Sequence, residues 1–358
     1  MAVPNLPKPI RRIFIKKIFT FMRIVVWQSA FLGDLVLASN LLVNLLINFP
    51  NAELILVARP FAVELFKGLD RLKVLPLKKT LRGTWEVVKH LKGCEVAFGV
   101  QRGLRTSLSL FLARIPTRVG FKNAELSFLY THKAPHSWGV HEVERNQQLL
   151  KVLNLKVHTD RLFLPINWKT LERVEKKFNL KGEFVAIAPS ANFEPKRWNE
   201  IYFAKLIDLL KEEGFKVTLI GAKGKDEEVA QRVRSFLKDP KGVKNLVGKT
   251  TVEELVHLIY LARLVVANDS APVHIAEAVG TPVIAVYCAT SPYYGFFPRS
   301  GVYLQPKGLK CHPCKPNPKV CKVSSMECTQ AVKPEEVYKK ALFLLNKPPQ
   351  KPPALFLS

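Results

Sequence analysis

The sequence is short of acidic residues. It has 29 Asp and Glu against 55 Lys and Arg, which gives a formal net charge of +26. A field of this sign favours polyanionic partners such as nucleic acids, nucleotide-sugars or an anionic membrane face. The chain has no zinc-finger, ribonucleoprotein-type aromatic or basic-zipper pattern, and its basic residues are spread over both halves. We therefore expect no nucleic-acid partner.

Long apolar runs are also missing. No run reaches the length that spans a bilayer. Lys and Arg interrupt the apolar residues of positions 1–24, which lack both the continuous apolar core and the small-residue cleavage site of a signal peptide. We expect a cytoplasmic chain. The helical spacing of Ile and Phe over 10–21 indicates either a helix lying on an anionic membrane or a disordered basic leader.

Three ligand-binding motifs are absent as well. There is no G-x-G-x-x-G fingerprint and no Walker A motif, which disfavours a dinucleotide-dependent oxidoreductase and a P-loop NTPase. There is also no Asp-x-Asp pair that would hold a metal ion on a diphosphate. A diphosphate ligand would therefore depend on backbone amides and basic side chains.

Buried-strand patterns alternate with helical patterns in two series. The first runs from a strand at Met22–Gln28 to a helix at Glu142–Leu153, and the second begins with a strand at Phe184–Ala188. Such alternation predicts two α/β domains with mainly parallel sheets. We expect two Rossmann-like halves with a ligand cleft between them. The predicted segments are a basic leader (1–21), an N-terminal domain (22–165), a C-terminal domain (166–332), and a helix with a Pro-rich tail (333–358).

One strand-to-helix corner is suited to phosphate. Asn268, Asp269 and Ser270 follow the apolar strand Leu264–Ala267 and are favourable helix N-cap residues. The N–H groups at this helix start, beside His274, would bind a phosphate group. The alternative is a well-capped helix with His274 on the surface.

A second corner of the same domain is also rich in donors. Ser190 and Asn192 precede Lys196-Arg197 between a strand and its helix, and these groups can donate to diphosphate oxygens. The alternative is that Ser190 and Asn192 only cap turns and that Trp198 belongs to the core.

Asp34 begins the first helix after the first strand. A carboxylate there can accept a proton from an attacking hydroxyl group. The alternative is an ordinary aspartate in a first helical turn, which the helix dipole favours.

These motifs, in this order and spacing, resemble the ADP-heptose:lipopolysaccharide heptosyltransferases of glycosyltransferase family 9, and most closely heptosyltransferase II. The residues that carry the resemblance are Leu32-Gly33-Asp34, Arg118-Val119-Gly120-Phe121, His141-Glu142-Val143-Glu144-Arg145-Asn146, Lys196-Arg197-Trp198, Asn268-Asp269-Ser270-Ala271-Pro272-Val273-His274 and Ala289-Thr290-Ser291-Pro292. The resemblance implies a GT-B fold, with an acceptor-binding N-terminal domain and an ADP-sugar-binding C-terminal domain. It also implies an inverting transfer of heptose.

The resemblance assigns roles to individual residues. Asp34 matches the general base. The implied donor-binding residues are Ser190, Lys196, Thr250, Asp269, Ser270, Ala271 and His274. Asn192, in the same loop as Ser190, is predicted to bind the donor from its amide group alone. Three arginines are predicted to bind the acceptor: Arg118, which belongs to one of the resembling motifs, and Arg102 and Arg105, which belong to a basic run in the N-terminal half. The alternative for that run is a solvated basic face. The family usually has Gly at the position of Ala271, so Ala would be strained if this position needs a positive φ.

The resemblance also implies the partners. The donor is ADP-heptose, which is a substrate, so no cofactor is required. The acceptor is Kdo-lipid A or its mono-heptosylated form, at the anionic inner-membrane surface, with which the cytoplasmic enzyme would associate peripherally. The alternatives are a GT-B enzyme for another nucleotide-sugar and a non-catalytic protein that binds a nucleotide-sugar or polyanion.

Four of the six cysteines lie close together near the C-terminus. Cys311, Cys314, Cys321 and Cys328 form a C-x2-C-x6-C-x6-C pattern. This pattern is compatible with a structural zinc, with disulfides or with free thiols. A similar segment is typical of the second heptosyltransferase subgroup. Cys94 and Cys288 are predicted to be small core residues.

Overall fold

A computed structural model describes residues 22–348 and 356–357. The chain divides into two compact units, Met1–Phe163 and Leu164–Ser358. The predicted leader over 1–21 lies outside the described residues, as does the Pro-rich tail from residue 349 apart from 356–357. No helix in the described part of the chain is long and apolar enough to cross a membrane.

The first unit is built on a six-stranded parallel sheet. Its strands are β1 (Arg23–Trp27), β2 (Glu53–Ala58), β3 (Leu72–Pro76), β4 (Val96–Gly99), β5 (Thr117–Phe121) and β6 (His132–Ala134). Their order is β3-β2-β1-β4-β5-β6, and all neighbours are parallel. The chain therefore changes direction across the sheet between β1 and β4.

Helices alternate with the strands of the first unit. They are α1 (Leu32–Asn48), α2 (Ala62–Leu65), α3 (Leu81–His90), α4 (Leu104–Leu112) and α5 (Glu142–Lys151). Helix α1 contacts α5, and α3 contacts α4. Right-handed crossovers place α1 on one face of the sheet and α3 with α4 on the other.

The second unit repeats the arrangement. Its main sheet contains β8 (Phe184–Ala188), β9 (Lys216–Leu219), β10 (Val243–Asn245), β11 (Leu264–Asn268), β12 (Val283–Val286) and β13 (Val302–Leu304). The order is β10-β9-β8-β11-β12-β13, again all parallel. A separate parallel pair joins β7 (Ile166–Asn167) to β14 (Phe356–Leu357). In this sheet the strand order reverses between β8 and β11.

Seven α-helices complete the second unit within its described residues. They are α6 (Trp168–Lys177), α7 (Glu200–Glu212), α8 (Lys225–Ser235), α9 (Val252–Leu261), α10 (Ala271–Val279), α11 (Cys328–Ala331) and α12 (Pro334–Leu345). Helix α12 packs on α7. Strands β8 and β11 are buried over their whole length because helices cover both faces of the sheet.

Trp198 is part of this core, as the alternative for the second corner predicted. Its side chain is fully buried and its indole Nε1–H donates to the Val332 carbonyl at 2.9 Å. Cys94 and Cys288 are buried too, which confirms their prediction as core residues.

Candidate active site

The sheet order of the second unit brings the two predicted donor corners together. Strands β8 and β11 are direct neighbours, with Ala188 opposite Ala267 at their carboxyl ends. The loops that follow these strands therefore emerge side by side, at the point where the strand order reverses. Ligands of doubly wound sheets bind at this switch point.

An ion pair connects the two corners. The Nζ of Lys196 lies 2.7 Å from Asp269 Oδ2, and both side chains are largely buried. The Thr290 hydroxyl donates to the same carboxylate oxygen at 2.7 Å. Asp269 thus holds the Lys196 ammonium at the switch point, where it can bind an anion.

Asn268 fixes the loop backbones around this pair. Its Nδ2 donates to the Pro189 carbonyl at 2.8 Å, and its Oδ1 accepts the Trp198 N–H at 2.8 Å. The sequence predicted Asn268 only as a cap residue. Its structural role depends on the pairing of β8 with β11, which the sequence pattern does not specify.

Ser190 presents an unusual hydroxyl group. The residue is buried, and its Oγ has no hydrogen-bond partner among the described residues. A buried hydroxyl normally has a partner, so this atom suits an incoming ligand group. Asn192 is exposed in the same loop.

The start of α10 differs in detail from the prediction. Ser270 occupies the N-cap position, but its hydroxyl donates to the Asn268 carbonyl at 3.1 Å and caps no helix N–H group. Ala271 is the first helical residue and has no positive φ, so the strain considered for alanine does not arise. His274 is only 4% exposed, so the alternative of a surface histidine was wrong.

Thr250 lies farther along the same edge of the sheet. It follows β10, two strands from β8, which corresponds to roughly 10 Å. The loop turns at Gly248, whose φ is 75° and whose N–H donates to the Gly221 carbonyl at 3.0 Å. This position is compatible with contact to a nucleoside that extends away from the diphosphate corner.

In the first unit, Asp34 lies beside the corresponding switch point. It is half-buried in the first turn of α1, and its Oδ2 accepts the Phe31 N–H at 3.2 Å. The Ser29 hydroxyl donates to Gln101 Oε1 at 2.6 Å, which joins the loops after β1 and β4. A carboxylate has about four acceptor positions, so the helix-start role does not exclude a role as base.

Cations surround Asp34. Partial desolvation and the positive charges of Arg59 and Arg105 lower the pKa of Lys79, whereas the Asp34 carboxylate acts in the opposite direction. These four residues therefore lie close to one another. Arg59 and Lys79 are on the loops that follow β2 and β3, and Asp34 and Arg105 are in the first turns of α1 and α4. Sequence reasoning missed Arg59, because only the sheet order places the end of β2 beside the end of β1.

A buried ion pair adjoins Asp34. Arg145 Nη2 lies 2.7 Å from Glu142 Oε2, with Arg145 almost fully buried and Glu142 12% exposed. Burial raises the pKa of Glu142 to about 7 despite Arg145, and the Asp34 charge contributes to this rise. Arg145 and Arg102 lie over the Trp138 ring, with 5.2 and 5.8 Å from guanidinium carbon to ring centroid.

Positive charges also surround His136. Its ring makes edge contacts with Phe121 and Trp138 at centroid distances of 5.1 and 5.6 Å. Burial, together with the charges of Arg102 and Arg145, lowers the pKa of His136 to about 4. The histidine is therefore neutral at pH 7, and the guanidinium groups around it suit an anionic ligand.

Replacing Glu142 by Gln is expected to change how stability depends on pH. The native protein retains the Glu142 proton up to about pH 7, whereas an unperturbed glutamate releases it near pH 4.5. Between pH 4.5 and 7 the unfolded chain has released the Glu142 proton and the native protein still holds it. The free energy of unfolding therefore falls as pH rises through this window. Relative to Glu142→Gln, the wild type should lose on the order of 3 kcal/mol of unfolding free energy in the first unit. Urea titrations of both proteins across this window test the prediction, and parallel profiles would contradict it.

Arg118 is not part of this group. It lies near the amino end of β5, at the opposite edge of the sheet from Asp34. Its Nε donates to the Leu129 carbonyl at 2.8 Å, its Nη1 donates to the Ile115 carbonyl, and its guanidinium lies over Phe111. The structure therefore does not bring Arg118 together with Asp34, and its acceptor-binding role stays a prediction. Arg102 and Arg105 remain beside Asp34.

The four C-terminal cysteines surround one cavity of about 420 Å³, which Pro195 and Ala289 also line. The structure describes all six cysteines and shows none of them paired in a disulfide. Within residues 22–348 and 356–357, no three or more His, Cys, Asp or Glu side chains are placed to hold a metal ion. The segment supports the donor corner, because His312 Nε2 lies 2.9 Å from the Thr290 carbonyl. Zinc and disulfides stay predictions.

Thiol titration separates the three states of this cluster. If the thiols are free as in the structure, native protein should show about three reactive groups, since Cys311 is exposed and Cys314 and Cys321 are half-buried. Denatured protein should then show all six. A zinc site would instead protect the native thiols and give about one metal ion per chain by elemental analysis. Disulfides would lower the denatured count.

The fold, together with the polar residues around Lys196 and Asp34 at the two switch points, defines the class of protein. Two doubly wound parallel α/β units in one chain, each with polar groups at the carboxyl ends of its strands, are the architecture of GT-B glycosyltransferases. The family model described as glycosyltransferase family 9 (heptosyltransferase) matches residues 84–341. The chain belongs to this family.

Individual relatives agree with this assignment. The lipooligosaccharide heptosyltransferase 2 of Haemophilus influenzae is 30% identical over 300 residues, covering 76% of this chain and 85% of that protein. The lipopolysaccharide heptosyltransferase 3 of Escherichia coli K12 is 30% identical over 291 residues, covering 72% and 80%. The solved E. coli ADP-heptose LPS heptosyltransferase II superposes with a TM-score of 0.75 at 19% identity, covering 90% and 98%. The predicted family, enzyme class and GT-B fold are thereby confirmed.

Proposed function

We propose that this enzyme transfers L-glycero-D-manno-heptose from ADP-heptose to the inner core of lipopolysaccharide, with inversion at the anomeric carbon. The second unit binds the donor and the first unit binds the acceptor. Family membership supports the reaction type, and the groups around Lys196 and Asp34 support the division of roles.

The observation that carries the proposal is the donor corner at the switch point of β8 and β11. Lys196 is held by Asp269, the Ser190 hydroxyl is buried without a partner among the described residues, and α10 begins beside them. An ammonium, a hydroxyl and helix-start N–H groups are the donors that a diphosphate requires. Thr250 is assigned to the adenosine part.

The chemistry follows from these groups. An acceptor hydroxyl attacks the anomeric carbon of the donor, and the bond from that carbon to the diphosphate oxygen breaks. Asp34 accepts the hydroxyl proton as attack proceeds, because a sugar hydroxyl does not ionise at neutral pH. Lys196 and the N–H groups at the start of α10 stabilise the negative charge that develops on the departing ADP. No step requires a cofactor.

The cations around Asp34 indicate the acceptor. Arg59, Lys79, Arg102 and Arg105 suit the phosphate and carboxylate groups of a Kdo-bearing lipid. We assign the mono-heptosylated form of Kdo-lipid A as acceptor, because the Cys311–Cys328 segment is typical of the second heptosyltransferase subgroup. Kdo-lipid A itself is the alternative.

Isothermal titration tests the donor assignment. ADP-heptose should bind more tightly than ADP-glucose, because the family transfers heptose, and duplex DNA should bind only through salt-sensitive contacts. A preference for ADP-glucose would favour another nucleotide-sugar. A preference for DNA at physiological salt would overturn the proposal.

A further inference from the structure

Helix α4 exposes four of its five apolar side chains to solvent. Leu104, Leu108, Phe111 and Leu112 are between 37 and 48% exposed, and their i, i+4, i+7, i+8 spacing places them on one face. The buried positions of the helix are Thr106, Ser107, Ser109 and Leu110. Helices of globular proteins normally direct their apolar stripe inward, so the pattern of α4 is inverted.

Neighbouring elements extend this apolar surface. Helix α3 and the 3-10 turn Ser127–Leu129 both contact α4. Trp85 on α3 is 50% exposed, and Phe128 in the turn is 71% exposed. We call the set the α4 face, and it consists of Trp85, Leu104, Leu108, Phe111, Leu112 and Phe128.

Basic residues outnumber acidic ones in the stretch that carries most of the α4 face, although the exposed Glu125 accepts the Leu104 N–H at 2.7 Å. Residues 78–114 contain eight Lys and Arg but only two Glu. Of the two glutamates, Glu86 is paired with Arg82 at 3.2 Å and Glu95 is buried. An exposed apolar patch bordered by cations is the surface that peripheral proteins place on anionic lipid.

The same charges argue against other occupants. A second copy of the chain seated on this face would bring two sets of cations together, which is repulsive. Nucleic acid would satisfy the cations but would leave the leucines and Phe111 without an apolar partner. An anionic bilayer satisfies both groups of side chains.

We infer that the α4 face docks on a membrane containing anionic lipids. The inference rests on the proposed function in one respect: a lipid-linked acceptor would reach the Asp34 group from that membrane. Arg105 connects the two regions, because it lies in the first turn of α4 and its Nη2 donates to the Lys79 carbonyl at 3.5 Å. The α4 face thus begins beside the candidate acceptor site.

Vesicle sedimentation of the full-length protein tests docking. The wild type should bind phosphatidylcholine vesicles that contain about one-third phosphatidylglycerol and should bind pure phosphatidylcholine vesicles at least tenfold more weakly. Leu108→Gln combined with Phe111→Gln should lower partitioning to the anionic vesicles by at least about tenfold, since two apolar side chains lose their burial in lipid. Gln keeps the helix propensity of α4.

The matched control is Ile201→Gln with Phe343→Gln, two half-exposed apolar positions on helices of the other unit. This variant should bind vesicles like the wild type. Unchanged binding by the α4 variant at wild-type melting temperature would overturn the inference, as would equal wild-type binding to both vesicle types. Sedimentation velocity that shows a dimer lost in the α4 variant would assign the face to a second copy and also overturn it. The vesicles contain neither donor nor acceptor, so failure here is distinguishable from failure of the proposed transfer.

Discussion

Asp34→Asn should lower the turnover number by about a hundredfold to ten-thousandfold, which is the usual contribution of a general base. The amide cannot accept the proton of the acceptor hydroxyl. Its oxygen can still accept the Phe31 N–H, now 3.2 Å from the carboxylate, so the start of α1 should persist. Donor affinity should stay within about twofold, because the donor groups lie in the other unit.

The matched control is Asp239→Asn. Asp239 also accepts a backbone N–H, that of Lys241 at 2.9 Å, but it precedes β10 and lies away from the carboxyl ends of the strands. Its turnover should equal that of the wild type. Near-normal turnover of Asp34→Asn, with the melting temperature unchanged, would remove Asp34 from the mechanism and leave it only the helix-start role.

Lys196→Met should weaken ADP-heptose binding by about 10- to 150-fold. The variant loses a charge-assisted hydrogen bond of roughly 1.5–3 kcal/mol to the diphosphate. It also leaves the Asp269 carboxylate, 2.7 Å from the ammonium in the wild type, without the cation that balances its repulsion of the diphosphate. Turnover should fall too, because the charge on departing ADP is less well stabilised.

Titration calorimetry measures the loss, with Lys238→Met as the control. Lys238 pairs with Glu212 at 2.9 Å, but both side chains are exposed, so removing that pair should leave affinity unchanged. In Lys196→Met/Asp269→Asn the loss should be smaller than in Lys196→Met alone. Donor affinity within twofold of the wild type for Lys196→Met would place the diphosphate elsewhere.

The regular part of the fold was accessible from the sequence because parallel sheets covered on both faces need continuous apolar strands. Strands β8 and β11 carry this signal, and helix α10, which follows β11, begins after Ser270 and ends at Gly280. The short outermost strands of the two sheets do not carry this signal. Strands β6 and β13 have three residues each and are partly exposed, so their patterns carry little periodic information.

The candidate site was predicted in part, for a physical reason. Residues on the loops after β8 and β11 could be recognised locally, since caps and basic residues next to strands have short-range signatures. The pairing that joins Asn268 to Pro189 depends on the strand order. Likewise, Arg118 is a basic residue like Arg102. Only the position of Arg118 within β5 places it at the amino ends of the strands, away from Asp34. The predicted cleft between the units stays a prediction.

The buried Glu142–Arg145 pair is another feature that local sequence patterns could not predict. Its residues belong to a recognisable motif, but their burial beside Asp34 arises from the packing of α5 on α1. Burial raises the pKa of Glu142, and no sequence pattern reveals burial of a charged pair at this depth.

Mass spectrometry of the products tests the central claim most directly. The enzyme would be incubated with ADP-heptose and, in separate reactions, Kdo-lipid A and its mono-heptosylated form, with Asp34→Asn as the inactive control. We predict that the mono-heptosylated acceptor gains one heptose with the wild type only. A gain on Kdo-lipid A alone would shift the assignment to the first heptose. No heptose gain on either acceptor by a folded enzyme that binds ADP-heptose would contradict the proposed transfer.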